Sequence, residues 1–231
     1  MIVNPYMEST FSDALKQHSI KTWNKILNHS FITEISMDVL PLDKFTFYLK
    51  QDNIFLKEFC NFLHVAKQIS NSPKMREWFD GLIYSTINFE MQMQIQILDI
   101  LGISSGTNLE YTFPSTATTT LNYTSYLRQI SSTGSVARIV SAMAPCPWTY
   151  FEIAEKLSKN HIQSKIYKKW IQFYSSEESY RQVKEIKMML DALAKEANKK
   201  DKMVMKNHFA TACRHEYLFW DMAYNFGSKC E

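Results

Sequence analysis

The sequence contains few glycines, and this shortage limits the folds and sites that it can form. Only five occur among the 231 residues: Gly81, Gly102, Gly106, Gly134 and Gly227. They form no Gly-rich phosphate-binding loop, and no serine stands in a glycine-flanked nucleophile elbow. No segment alternates apolar and polar residues between turn residues, as a half-buried strand would. We therefore expect an all-helical protein without a P-loop or a serine-hydrolase elbow.

Long apolar runs and paired cysteines are lacking as well. Nowhere do about 18 apolar residues follow one another, and residues 1–20 are acidic and polar where a secretory signal needs an apolar core. The four cysteines, Cys60, Cys146, Cys213 and Cys230, show no disulfide-like or metal-like spacing. These features favour a cytoplasmic protein with free thiols and no membrane partner.

The charge of the chain gives no indication of a nucleic-acid partner. The formal net charge is only +3. Basic residues gather at Lys165, Lys168 and Lys169 and again over 195–206, where acidic and apolar residues interrupt them. Such interleaving is more typical of a solvated helix face than of a nucleic-acid patch.

Apolar residues recur at three- and four-residue spacing along most of the chain, which predicts about eight helices. The predicted segments are 11–28, 42–70, 73–101, 119–131, 136–157, 163–174, 177–197 and 201–226. Their ends carry first-turn prolines (Pro41, Pro73), caps (71–72, 175–176) and C-terminal glycines (Gly102, Gly134). The one long irregular stretch, 103–118, is too short to link domains. We expect a single domain, residues 1–231, larger than a four-helix bundle.

A cysteine between two prolines interrupts the helix predicted over 136–157. Pro145 and Pro147 flank Cys146, and a proline inside a helix costs about 3 kcal/mol because it removes a backbone hydrogen bond. Costly backbone gathers at functional sites, so this segment is a candidate site. A kinked helix with an inert buried cysteine explains these residues alone equally well.

Three further helices carry a polar group on an apolar face. Asp52 and Glu216 each lie among aromatic and aliphatic residues at helical spacing, and Tyr174 follows Tyr167 and Trp170. An unpaired buried carboxylate raises its own pKa or requires a specific partner. If these faces converge on Cys146, they form an aromatic-walled pocket with two carboxylates and a thiol, as small-molecule sites have. Structural ion pairs and plain core packing are the alternatives.

The histidines do not form a metal site in this interpretation. His208, Cys213 and His215 are close in sequence, but the cysteine stands five and two residues from the histidines. On a helix these spacings place it on a different face from both. We expect no bound metal.

Four blocks of sequence carry a specific resemblance that covers nearly the whole chain. They are residues 31–35 (FITEI), 40–52 (LPLDKFTFYLKQD), 144–153 (APCPWTYFEI) and 216–223 (EYLFWDMA). Together they resemble the TenA/thiaminase II family, and Cys146 marks the branch of that family with a thiol nucleophile. The resemblance implies a haem-oxygenase-like helical bundle that assembles as a homotetramer and uses no cofactor.

The resemblance also implies roles for individual residues. Cys146 matches the nucleophile and Glu216 the proton donor, whereas Asp52, Tyr123, Tyr150 and Tyr174 match positions that contact a pyrimidine. Glu216 in its apolar stripe suits an acid that holds its proton near neutral pH. Asp52 is expected to be ionised and to accept a hydrogen bond from an exocyclic amine. Phe55 departs from the tyrosine that many members have there, and its ring is expected to stack on the pyrimidine.

The expected activity is hydrolysis of 4-amino-5-aminomethyl-2-methylpyrimidine to the hydroxymethylpyrimidine in thiamine salvage, with thiamine as a second substrate. Two alternatives remain at this point. A pyrimidine-binding salvage or regulatory protein with feeble turnover is favoured by the missing hydroxyl at Phe55. A haem or di-iron oxygenase would share the fold.

Overall fold

The computed structural model describes residues 9–103 and 115–226, and within these ranges it contains helices and no strands. The α-helices are α1 (Phe11–His18), α2 (Ile20–Leu27), α3 (Ser30–Ser36), α4 (Leu42–Ile69), α5 (Pro73–Ser85), α6 (Met91–Ile100), α7 (Thr118–Ser131), α8 (Val136–Met143), α9 (Pro145–Leu157), α10 (Lys165–Tyr174), α11 (Glu177–Glu196) and α12 (Lys199–Tyr224). A π-helical segment, Thr86–Glu90, joins α5 to α6. The prediction of an all-helical bundle is confirmed.

Three of the predicted helices are divided in the structure. The first breaks at Ser19, the third contains the π-helical segment, and the fifth breaks at Ala144. The short helix α3 was not predicted. The break at Ser19 and the π-helical segment leave no sign in the sequence, because a broken or π-helical turn keeps nearly the same apolar spacing as a continuous helix.

The predicted helix ends are largely confirmed. Ser72 and Ser176 cap α5 and α11 through their side chains, and Gly102 and Gly134 adopt φ values of 69° and 67° just past helix ends. Those positive φ values favour glycine, which has no Cβ. Pro41 is the exception, because it is the N-cap residue of α4 and lies outside its first turn. Of the expected irregular stretch, residues 104–114 lie outside the described residues.

Two long helices, α4 and α12, form the centre of the bundle. α12 packs on α1, α2, α3, α4, α7, α8 and α9, while α4 also packs on α5, α6 and α7. Buried apolar side chains from Leu15 to Ala223 belong to one hydrophobic cluster. The single-domain organisation itself stays a prediction. In the described ranges, no helix has the length and hydropathy needed to cross a membrane.

Candidate active site

A cavity of about 640 Å³ lies beside the break between α8 and α9. Its walls include Leu56 and Phe59 from α4, Glu90 from the π-helical segment, and Cys146 and Tyr150 from α9. The volume is within the range of small-molecule sites in proteins. Three separate parts of the sequence therefore meet around one space.

Cys146 stands in the first turn of α9, where the two prolines interrupt the backbone ladder. α8 ends at Met143, and Pro145 is the first residue of α9. Because neither proline has an N–H group, neither can donate to the carbonyl four residues earlier. The ladder resumes when the Trp148 N–H donates to the Ala144 carbonyl at 3.4 Å. The predicted interruption is confirmed, and it turns the thiol toward the cavity.

The surroundings of Cys146 disfavour its thiolate. Burial raises the pKa of the thiol well above its ordinary value, and the charges of Glu216, Glu90 and Asp52 raise it further. All three carboxyl groups therefore lie near enough to the sulfur for their charges to act on it. The protein's own groups therefore keep the thiol protonated at neutral pH.

Glu216 is held by a single tyrosine hydroxyl. The Tyr123 hydroxyl donates to Glu216 Oε1 at 2.6 Å, and only 2% of the Glu216 surface is exposed. Burial raises the pKa of Glu216 to about 7, although the hydrogen bond from Tyr123 lowers it in part. A pKa in this range allows the group both to give and to receive a proton near neutral pH.

Asp52 lies on α4 between two donors. The Tyr48 hydroxyl and Gln94 Nε2 both donate to Asp52 Oδ2, at 3.2 and 2.7 Å. Burial raises the pKa of Asp52 well above its usual value, and the charge of Glu90 adds to this, so the two hydrogen bonds are outweighed. Burial and the charge of Glu90 therefore favour the protonated acid, and the expectation of an ionised Asp52 stays a prediction.

Phe55 lies one layer behind the cavity wall. Its ring centroid is 4.8 Å from that of Tyr123, 5.7 Å from Phe59 and 5.9 Å from Phe219. The α4 side chains that line the cavity are Leu56 and Phe59. In this structure Phe55 therefore supports Tyr123, and through it the hydroxyl that holds Glu216.

Tyr150 and Tyr174 form an aromatic wall beside Cys146. Their ring centroids are 5.0 Å apart in an edge-to-face arrangement, and Trp170 packs on both. The Tyr174 hydroxyl donates to Glu90 Oε1 at 2.6 Å. These two predicted residues line the same cavity as the cysteine.

Sequence reasoning missed Glu90, Tyr48 and Gln94. Burial raises the pKa of Glu90 to about 7, as it does for Glu216. A signal was present, because Glu90 has Ile87 and Met93 as neighbours at three-residue spacing, the pattern that pointed to Asp52. The π-helical segment that orients Glu90 leaves no such signal.

The described residues include no group of side chains suited to a metal ion, and His215 packs against aromatic rings in the bundle. Within 9–103 and 115–226, no three side chains of His, Cys, Asp or Glu are grouped so that they could hold a metal ion. The His215 ring stacks between Tyr123 and Tyr126, with centroid distances of 4.8 and 5.0 Å. It therefore buttresses the tyrosine that holds Glu216.

Known proteins resemble this chain in sequence and in fold. The chain is 34% identical over 217 residues to an aminopyrimidine aminohydrolase of Helicobacter pylori, covering 92% of this chain and 98% of that relative. It is 33% identical to the aminopyrimidine aminohydrolase of Halalkalibacterium halodurans, covering 94% and 96%. The solved structure of a TenA homologue from P. horikoshii OT3 superposes with a TM-score of 0.84 at 26% identity, covering 94% of this chain and 100% of that one. The sequence profile of the TENA/THI-4/PQQC family matches residues 17–226, and the chain belongs to that family.

Proposed function

We propose that the protein hydrolyses 4-amino-5-aminomethyl-2-methylpyrimidine to the hydroxymethylpyrimidine and ammonia, with thiamine as a second substrate. The expectation of a hydrolase of this family is confirmed by the curated relatives. The substrate and the cysteine mechanism are our proposal. The observation that carries it is the position of Cys146 and Glu90 in one cavity wall. The buried carboxyl groups of Glu216 and Asp52 lie behind that wall and also raise the pKa of the thiol.

The chemistry explains why a thiol and an acid are needed together. Water displaces an amine poorly from a methylene group on an aromatic ring. Addition of a thiolate to the neighbouring ring carbon, with protonation of a ring nitrogen, breaks the aromaticity and lets the ring electrons expel the substituent. Water then adds to the exocyclic methylene, and the thiolate leaves.

In this scheme Cys146 is the nucleophile and Glu216 the acid. Glu216 has a pKa of about 7, so a proton is available for the ring nitrogen at neutral pH. Tyr123 orients the carboxyl group through its 2.6 Å hydrogen bond. When the ring regains its aromaticity, the same carboxylate takes the proton back.

The Cys146 thiol must pass its proton to water in the cavity before it attacks, and it regains a proton from water after sulfur has left the ring. Its raised pKa means that the protein alone does not stabilise the thiolate. A substrate with a positively charged nitrogen on its exocyclic methylene would offset the negative charge of the three carboxyl groups and so lower the pKa of the thiol. The position of Cys146 in the first turn of α9 also lowers the pKa of the thiol, because the N-terminus of a helix stabilises negative charge. We therefore propose that substrate binding activates the nucleophile.

Asp52 is proposed to bind the edge of the pyrimidine. A 4-aminopyrimidine presents a ring-nitrogen acceptor beside an amino donor, and a protonated carboxyl group offers the matching donor and acceptor. Tyr48 and Gln94 fix the orientation of that group. Tyr150 and Tyr174 would contact the ring from the cavity wall, and Phe55 would act through Tyr123.

The family resemblance also underlies our proposal of a cytoplasmic homotetramer. Several large apolar side chains are exposed on the single chain, among them Met37, Val39 and Leu42 near the start of α4. Exposed apolar groups that lie close together are typical of protein interfaces. Sedimentation velocity of the purified protein measures the assembly directly.

A pyrimidine-binding protein with feeble turnover is the second candidate, and the raised pKa of Cys146 favours it. Incubation of purified protein with the aminomethylpyrimidine and, in parallel, with thiamine separates the two candidates. Chromatography should detect the hydroxymethylpyrimidine in both reactions, and Cys146→Ser is the control. Binding without product would contradict the hydrolase, and coloured, iron-containing protein would indicate the oxygenase alternative.

A further inference from the structure

Glu90 is a carboxyl group of the cavity that the proposed mechanism does not yet use. It ends the π-helical segment and lines the same wall as Cys146 and Tyr150. Its Oε1 accepts a 2.6 Å hydrogen bond from the Tyr174 hydroxyl of α10. The group is thus oriented from two elements, the π-helical segment and α10, toward the space beside the nucleophile. π-helical turns in α-helices are frequent at functional sites.

Of the three carboxyl groups that act on Cys146, Glu90 is the one in the described cavity wall. Asp52 and Glu216 are only 3% and 2% exposed, and the described cavity wall contains neither of them. Glu90 is partly exposed and belongs to that wall. Asp52 and Glu216 therefore lie deep, where they can contact the pyrimidine ring. Glu90 lies further out, where it can contact the substituent on the ring.

The substituent of the proposed substrate needs a counter-charge. An aminomethyl group is an ammonium ion at neutral pH, and an ion in a poorly hydrated cavity is costly unless it is paired. It must also face the cavity, because ammonia leaves and water enters there. The described wall contains two acids: Glu90, whose charge acts on Cys146, and Glu178, which is paired with Arg181 at the rim. Lys169 is the one basic side chain in that wall.

We infer that Glu90 binds the ammonium group of the substrate and then acts as the base for the entering water. This inference rests on the proposed function. Breakage of the C–N bond releases ammonia with the electron pair of the bond. The water oxygen forms a bond to the methylene carbon while its proton passes to the Glu90 carboxylate. Ammonia takes this proton and departs as ammonium, sulfur leaves the ring with its electron pair, and Glu216 regains the ring-nitrogen proton.

The test compares a cationic and a neutral ligand of the same ring. Glu90→Gln keeps an oxygen that can accept from Tyr174 but removes the negative charge. For the aminomethylpyrimidine, KM should rise and kcat should fall, each by about tenfold or more. Calorimetric affinity for the neutral hydroxymethylpyrimidine should change less than about twofold, because that ligand has no charge to lose. A residue with a structural role only would change both affinities together.

Two further variants control the experiment. Glu178→Gln removes the same charge from the cavity rim, where the side chain is 63% exposed and paired with Arg181, and should leave kcat and KM unchanged. Glu90→Asp keeps the charge and should retain the preference for the ammonium ligand, even if Glu90→Gln folds poorly.

The outcomes separate the two levels of the account. Unchanged kcat and KM in Glu90→Gln, or equal losses for the neutral and the cationic ligand, would overturn the role of Glu90. Wild-type protein that turns over neither substrate would overturn the proposed function and, with it, the base role. Calorimetry with the two pyrimidines then still decides whether Glu90 binds the ammonium group.

Discussion

Glu152 differs from Glu216 and Glu90 in its hydrogen-bond donors. Glu152, six residues after Cys146 on α9, accepts from Lys16 Nζ at 2.6 Å, from Trp148 Nε1 at 2.8 Å and from Trp23 Nε1 at 2.9 Å. It joins α9 to α1 and α2 through a cation and two indole groups. Glu90 in the cavity wall and the buried Glu216 behind it each accept one tyrosine hydroxyl.

This difference separates a structural carboxylate from reactive ones. The three donors of Glu152 satisfy its charge, so that side chain contributes stability. Burial without such compensation raises the pKa of Glu216 and of Glu90 to about 7. Those groups exchange protons near neutral pH, as acid–base catalysis requires. Glu216 and Glu90 therefore have fewer stabilising hydrogen bonds than Glu152 and are more reactive as acids and bases.

The largest expected effect is on the cavity side of this comparison. Cys146→Ser should lower hydrolysis by at least about a thousandfold, because an alcohol at its ordinary pKa does not replace the thiolate. Affinity for the hydroxymethylpyrimidine and the melting temperature should stay close to wild type. Assay by chromatography, with calorimetry on the same sample, measures both. More than about a tenth of the wild-type rate, equivalent to less than ~1.4 kcal/mol in the barrier, would rule out covalent catalysis by this residue.

Asp52 tests whether a deep carboxyl group is neutral, as its surroundings indicate. Asparagine also offers a donor beside an acceptor, so Asp52→Asn should keep the affinity for the hydroxymethylpyrimidine within about threefold of wild type. Asp52→Ala removes both groups and should weaken binding by about tenfold or more, since a buried hydrogen-bonding partner is lost. Titration calorimetry compares the two. Equal losses in both variants would indicate that Asp52 binds as a carboxylate.

Glu152 is the corresponding test on the structural side. Glu152→Gln removes the charge that Lys16 and the two indoles share, and should lower the free energy of unfolding by about 1–3 kcal/mol. Denaturant melts measure the loss, while kcat for the aminomethylpyrimidine should be unchanged in the folded protein. A loss of activity without a loss of stability would contradict the claim that Glu152 has a structural role only.

Most of the fold could be predicted from the sequence, but the proton states of the site could not. Apolar spacing placed α4 within one residue of its observed ends, because its buried stripe follows the helical period closely. Asp52 was found by that same stripe. Its protonation depends on Glu90, which reaches it from another helix. Electrostatic contacts between groups on different helices depend on tertiary packing, and residue spacing within one helix does not predict that packing.

Phe55 carries the smallest expected effect. Phe55→Tyr adds a hydroxyl next to Tyr123, which contacts Glu216. If a phenol there helps to hold the thiolate, kcat should rise by about two- to fivefold and the acid limb of the pH profile should shift to lower pH. Phe55→Ala, which removes the ring behind Tyr123, should instead raise KM. An unchanged rate and pH profile in Phe55→Tyr would show that the site reaches full activity without the hydroxyl.

The most direct test of the account is the titration of the cavity glutamates. Carboxyl carbon NMR on protein labelled at glutamate, with assignment by loss of signals in Glu216→Gln and Glu90→Gln, follows each group through pH. We predict midpoints near pH 7 for both residues. Because folding raises these pKa values, the native state binds more protons between about pH 4.5 and 7, and the free energy of unfolding should fall as pH rises through that window. Midpoints near the ordinary glutamate value of 4.5 would contradict the claim that the cavity keeps its acids poised to exchange protons.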